Sequence, residues 1–299
     1  MTSLTRAVAR VLDADVHPDV VEAAHLLCAR IGGDAVLFYG SILRTGDLSG
    51  VLDFYVLRGD GTPRPGVVRR LLWPDVSYHE FVVAGQTLRA KVAAMPLATF
   101  ERAAAGETID TTIWARFAQP ARLVIAPDPA VRERVVAAVA ACLTTAARFA
   151  AVLGPERGEA LDYWRHLFSQ TYRTELRLEK VGRGDSIVAS DPGYFSAMLV
   201  AAWRALGWIG DDEQVVLTPR VPAAERKLWR SRWRRSTRAG KPLNVARLVK
   251  AAWTFEGASR YALWKIERHT GVHVALTPWR ERHPVLAAPG ILYKVWTAR

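Results

Sequence analysis

The chain has 299 residues, half of them hydrophobic and 23% charged, with a net charge of +12. That is enough length for two ordinary domains and a normal globular balance, which excludes a disordered chain. Two cysteines, Cys28 and Cys142, exclude a disulfide framework, and the longest uncharged apolar run, roughly residues 135–147, is shorter than the ~20 residues of a transmembrane helix.

Residues 6–31 carry apolar positions at helical spacing interrupted by Pro18, which predicts a short helix and then a longer one ending near Gly32-Gly33. Residues 35–39 (Ala-Val-Leu-Phe-Tyr) read as a strand closed by Gly40, and residues 51–57 as a second strand. Residues 81–83 and 88–95 predict a hairpin around Ala84-Gly85-Gln86, and residues 123–125 a last short strand. From Asp128 the pattern turns helical, over 128–153, 157–168 and 192–207. The polar stretch 169–191, with Gly182 and Gly184, reads as a loop or short hairpin. The last 80 residues read as helices broken at Pro219, Pro222, Pro242, Pro278 and Pro284.

The charge is unevenly placed. Residues 220–299 hold 18 Lys+Arg against 4 Asp+Glu, and six of the eleven tryptophans. Residues 1–219 hold 23 against 25. A near-neutral body with a basic, Trp-rich end predicts a polyanionic partner. Within 225–250 there are ten basic residues and one acid. Trp229 and Trp233 are four apart, so they share a helical face beside Arg230, Arg232, Arg234 and Arg235. Such a helix suits an anionic membrane interface, where each basic residue contributes about 1 kcal/mol. Basic stripes with aromatics also grip RNA, and a plain solvated face has the same composition.

The segment with chemistry in it is Phe38-Tyr39-Gly40-Ser41, then eleven residues, then Asp53 inside an apolar strand. Strand, Gly-Ser turn, loop and acid-bearing strand is the nucleotidyltransferase pattern. Glycine lets the backbone approach a triphosphate, and the Ser41 hydroxyl and nearby N–H groups cradle it. The aspartate holds a divalent metal that bridges the phosphates. An ordinary Gly-Ser turn between two strands has the same sequence. The usual second acid, two residues on and on the same strand face, is replaced by Tyr55.

Taken together these residues resemble the mitochondrial-type phosphatidate cytidylyltransferases, the peripheral CDP-diacylglycerol synthases of the translocator-assembly-and-maintenance family. Tyr39-Gly40-Ser41-Ile42 and Leu52-Asp53-Phe54 stand for its Tyr-Gly-Ser-Gly turn and Leu-Asp-Phe strand. Lys91, Arg116-Phe117-Ala118-Gln119-Pro120 and residues 169–177 (Ser-Gln-Thr-Tyr-Arg-Thr-Glu-Leu-Arg) follow in the family's order, over roughly residues 35–210. The resemblance implies that CTP and phosphatidate give CDP-diacylglycerol and pyrophosphate with Mg²⁺. It implies that Gly40 and Ser41 cradle the triphosphate and that Asp53 binds metal. Lys91, Arg116 and Arg177 would neutralise phosphate, with Tyr172 and Glu175 near the site and Glu175 as a second carboxylate. His79 and Glu80 have no place in this scheme and read as structural.

The expected fold class is α+β. A nucleotidyltransferase-like mixed-sheet domain (1–126) leads to a mostly helical domain (127–219), with a winged helix among its options, and then to a basic helical end (220–299). No leader segment is expected, since residues 1–15 carry two arginines and two aspartates. The expected place is the cytoplasm, peripheral on the inner face of a bacterial membrane, with nucleic acid the weaker partner.

Overall fold

The computed structural model describes residues 2–59, 72–174, 183–210, 212, 215–255, 257–282, 287 and 290. Two helices open the chain, α1 (Ser3–Leu12) and α2 (Pro18–Ile31). Thr2 caps the first through its side chain; Pro18 stands at the start of the second, where a missing N–H costs nothing. Gly32 ends α2 at a positive φ, as the sequence predicts.

Strand β1 (Ala35–Tyr39) leads through Gly40 into the single-turn α3 (Ser41–Thr45) and then β2 (Val51–Arg58). The hairpin β3 (Asp75–Val83) and β4 (Gln86–Pro96) is longer than its apolar stretches suggest. Its turn holds Ala84 and Gly85 at φ 48° and 77°, the double positive φ that a two-residue hairpin needs. Helices α4 (Leu97–Ala104) and α5 (Thr112–Phe117) precede β5 (Arg122–Ile125). These five strands form one mixed sheet, ordered β3-β4-β2-β1-β5. Only β2 and β4 run parallel.

Alternation along each strand sends side chains to two cores. One face (Val36, Phe38, Leu52, Phe54, Val92) packs on Val20, Ala24 and Leu27 of α2. The other (Leu37, Tyr55, Leu57, Ala93, Met95) packs on the remaining helices. Chief among these is α6 (Pro129–Leu153), capped by Asp128. By length and hydropathy it could cross a membrane, but its apolar window is 78% buried within this fold.

Next come β6 (Gly158–Glu159), α7 (Ala160–Thr174), α8 (Arg183–Ser190), α9 (Pro192–Ala205) and β7 (Val216–Leu217). The polar stretch expected as a loop or hairpin is helical at both described ends. Polarity by itself does not mark a loop, because a helix with one solvated face carries polar residues too. The basic end forms α10 (Ala223–Thr254), α11 (Ala258–Thr270) and α12 (Pro278–Arg282). Pro242 lies inside α10 instead of ending it. Packing holds the helix on both sides of the proline, through Trp229 and Trp233 before it and Arg247 and Lys250 after it. One continuous core runs from Leu4 to Trp233, so packing does not divide at 126 or 219.

Candidate functional site

A single row of residues crosses four strands. Tyr39 of β1 lies opposite Asp53 of β2, Asp53 opposite Lys91 of β4, and Lys91 opposite Tyr78 of β3. Leu52 and Phe54 belong to the α2 core. Asp53 therefore stands on the other face, two residues from Tyr55, at the end of the sheet where β1 gives way to α3.

Gly40 has φ +98°, and a Cβ built on it would lie 2.5 Å from Asp53 Oδ2. The backbone thus runs directly against the carboxylate, an approach that no other residue type permits. Ser41, the first residue of α3, is exposed beside this contact. Ile42, where the family pattern has its second glycine, is buried in the core on the sheet face opposite Asp53.

Arg116 reaches the same place from α5. Its Nη1 donates to the Tyr55 hydroxyl at 2.9 Å, and its guanidinium lies 5.2 Å from the Tyr39 ring centroid and 5.5 Å from that of Tyr55. Burial pushes the Tyr55 hydroxyl up from its ordinary pKa, with Arg116 opposing that shift. The structure thus gathers Gly40, Ser41, Asp53, Lys91 and Arg116 around one sheet end. Tyr172 lies in α7, but its side chain is outside the described residues, as are Glu175 and Arg177.

Sequence reading misses the opposite wall of this site. Gly257 approaches the Tyr78 carbonyl so closely that a Cβ there would meet its oxygen at 2.6 Å, which starts α11 hard against β3. Along α11, Tyr261 lies 5.4 Å from the Tyr78 ring and Trp264 stacks on Tyr261. Trp264 takes the guanidinium groups of Arg89 and Arg268 at 5.5 and 5.3 Å. Arg268 also donates to the Ser49 carbonyl in the α3–β2 loop at 3.0 Å. Burial first, and the negative charge of Asp53 second, push the Tyr261 hydroxyl upward. Positions 261, 264 and 268 are spaced as one helical face. That spacing is a legible signal, hidden by the overall basic composition of the segment.

Glu80 accepts from the Tyr78 hydroxyl at 3.0 Å and lies 3.6 Å from Arg89. His79 is buried, 2.8 Å from the Ser77 hydroxyl and stacked on Phe81, as a structural residue would be. Among the described residues no three His, Cys, Asp or Glu side chains cluster as a metal cage. Mg²⁺ keeps several waters and needs only one or two carboxylates beside substrate phosphates, so Asp53 fits an ion delivered with a nucleotide.

The reading of Trp229 and Trp233 as membrane-facing groups is corrected. They are 1% and 8% exposed. Both pack on Phe149 of α6, at 5.0 and 5.5 Å, and Trp229 donates to Glu225 at 2.7 Å. The apolar side of α10 faces the core, because burying two indoles there outweighs leaving them in water. Arg230, Arg234 and Arg235 stay exposed, while Arg232 is half-buried over the Trp229 ring. Half of the expected amphipathic face is therefore interior, and the other half is a basic surface.

No protein-family model matches the chain, and no curated protein matches it in sequence.

Proposed function

We propose that the chain is a metal-dependent nucleotidyltransferase acting on a lipid phosphate, with CTP and phosphatidate as the pair that the sequence resemblance implies. The observation that supports it most is the contact of Gly40 backbone with Asp53, flanked by Lys91 and Arg116. Glycine, a carboxylate and two cations on one sheet end suit a bound triphosphate. In this reading Gly40 and Ser41 receive the phosphates, and Lys91 and Arg116 offset their charge. Mg²⁺ held by Asp53 would neutralise the developing charge. A phosphatidate oxygen attacks the α-phosphorus; a new P–O bond forms, the α–β bridge breaks, and pyrophosphate leaves. Such chemistry needs positioning more than covalent catalysis. The protein would act peripherally, on the inner face of the cytoplasmic membrane.

The test is pyrophosphate release from CTP, Mg²⁺ and phosphatidate vesicles. Asp53→Ala should abolish release while leaving the melting temperature close to wild type. Intact protein that turns over no nucleotide with any lipid phosphate would sink the proposal.

One observation favours a second reading, a nucleotide- or lipid-binding protein without turnover. Tyr55 occupies the usual position of the second acid and is tied to Arg116. Calorimetry distinguishes the two, because this reading keeps binding while giving no pyrophosphate.

A further inference from the structure

A second concave surface lies between the end of α6 and the first turns of α10. It is an open groove of about 770 Å³. Arg226, Lys227, Arg230 and Arg234 line it, and among the described residues no acidic side chain does. Glu225, the nearest acid in the sequence, is turned to the Trp229 indole. Pro222 caps α10 without a side-chain hydrogen bond, so the positive end of the helix dipole adds to the same field. The floor is apolar, made of Val152, Leu153, Val221 and Trp233. None of these residues belongs to the Gly40–Asp53 site.

We infer that this groove seats the headgroup of an anionic phospholipid, with the first carbons of its chains on the apolar floor. Four cations without an acid complement a phosphate. The floor then selects for an anion that carries hydrocarbon. A single-stranded nucleic acid would instead want exposed aromatic faces for its bases, whereas among the described residues the aromatic side chain lining the groove is Trp233, which is buried. The volume lies within the range of small-molecule sites. This lipid site is separate from the acceptor site of the proposed reaction. It gives the basic end a way to meet a bilayer although Trp229 and Trp233 are interior: through a headgroup grip.

The test is co-sedimentation of the full chain with phosphatidylcholine vesicles, with and without phosphatidylglycerol. Phosphatidylglycerol is not an acceptor in the proposed transfer, so binding to it reports the groove and is independent of turnover. Asp53→Ala should bind as wild type does. The triple variant Arg226→Gln, Lys227→Gln, Arg234→Gln should bind about tenfold more weakly or worse. A charge-matched control, Arg235→Gln, Arg238→Gln, Lys241→Gln, removes three exposed cations outside the groove and should lose about twofold or less. Leu153→Glu should also release the protein, with circular dichroism confirming that each variant folds. Equal losses in the two triple variants would mean diffuse charge and overturn the groove. So would wild-type protein that ignores anionic vesicles, or that binds single-stranded RNA in their place.

Discussion

Arg116 ties itself to Tyr55 by a 2.9 Å hydrogen bond to the hydroxyl, in the position where a nucleotidyltransferase usually carries its second acid. Tyr55 is fully buried, so its hydroxyl is the polar anchor for a half-buried guanidinium. Tyr55→Phe removes that anchor and keeps the ring. A hydrogen bond to a charged group is worth about 1.5–3 kcal/mol. Chemical denaturation of this variant should show a loss of that size. Nucleotide affinity should weaken as well, because Arg116 is no longer held in place.

Gly40 carries a second prediction. At φ +98° with Asp53 Oδ2 in the space of a Cβ, Gly40→Ala is strained twice, by its backbone and by the contact. Strain of this kind costs about 1–3 kcal/mol. Adding Asp53→Ala to that variant should return part of the lost stability. The double-mutant coupling, read from melting curves, would be near zero if the two residues were not in contact.

The interior position of Trp233 is tested by Trp233→Ala. A large-to-small change in a packed core costs about 3–5 kcal/mol, so the thermal midpoint should fall sharply. Were the indole a surface anchor, stability would hardly change and vesicle binding would carry the whole effect.

Lys250 is 6% exposed at its side chain and donates to Asp75 Oδ1 at 2.6 Å and to the Leu72 carbonyl at 2.7 Å. Removing the ammonium loses both of these contacts, and a hydrogen bond to a charged group is worth about 1.5–3 kcal/mol. Lys250→Met should therefore destabilise the junction of α10 with β3. The double variant with Asp75→Asn should cost less than the sum of the two single changes.

Burial raises the hydroxyl pKa of Tyr55, Tyr78, Tyr194 and Tyr261 above the ordinary tyrosine value of about 10. A group whose folded pKa is raised contributes its full stability below the unfolded value, and loses it as pH rises from there towards the folded value. Melting temperature should accordingly hold up to about pH 10 and decline above it. Tyrosinate absorbance should show part of the tyrosine complement ionising only as the chain unfolds.

Much of the architecture is legible in local signals. Gly32, Asp128 and the Ala84-Gly85 turn mark their boundaries because capping and turn geometry depend on a few adjacent residues. The Gly40-Ser41 turn and Asp53 are likewise read from one short segment, and the strand register then sets Lys91 beside Asp53. The end of α7 beyond residue 168 and the short α8 are not legible locally, because a polar stretch with glycines reads equally as a loop. Pro242 misled for a related reason: tertiary packing holds α10 across a residue that would end an isolated helix.

By itself, then, the sequence determined the strand–turn–strand around Asp53, the buried character of α6 and the concentration of charge in the last 80 residues. These follow from periodicity, turn chemistry and composition, all of them local properties. Only the tertiary structure decided where that charge goes. It turned Trp229 and Trp233 inward onto Phe149, left Arg226, Lys227, Arg230 and Arg234 around a groove, and laid Tyr261, Trp264 and Arg268 along the wall of the Asp53 site. The reason is that a basic aromatic helix has two equally apolar uses for its tryptophans, a bilayer or a protein core. The presence of Phe149 on a neighbouring helix, far earlier in the chain, is what selects between them.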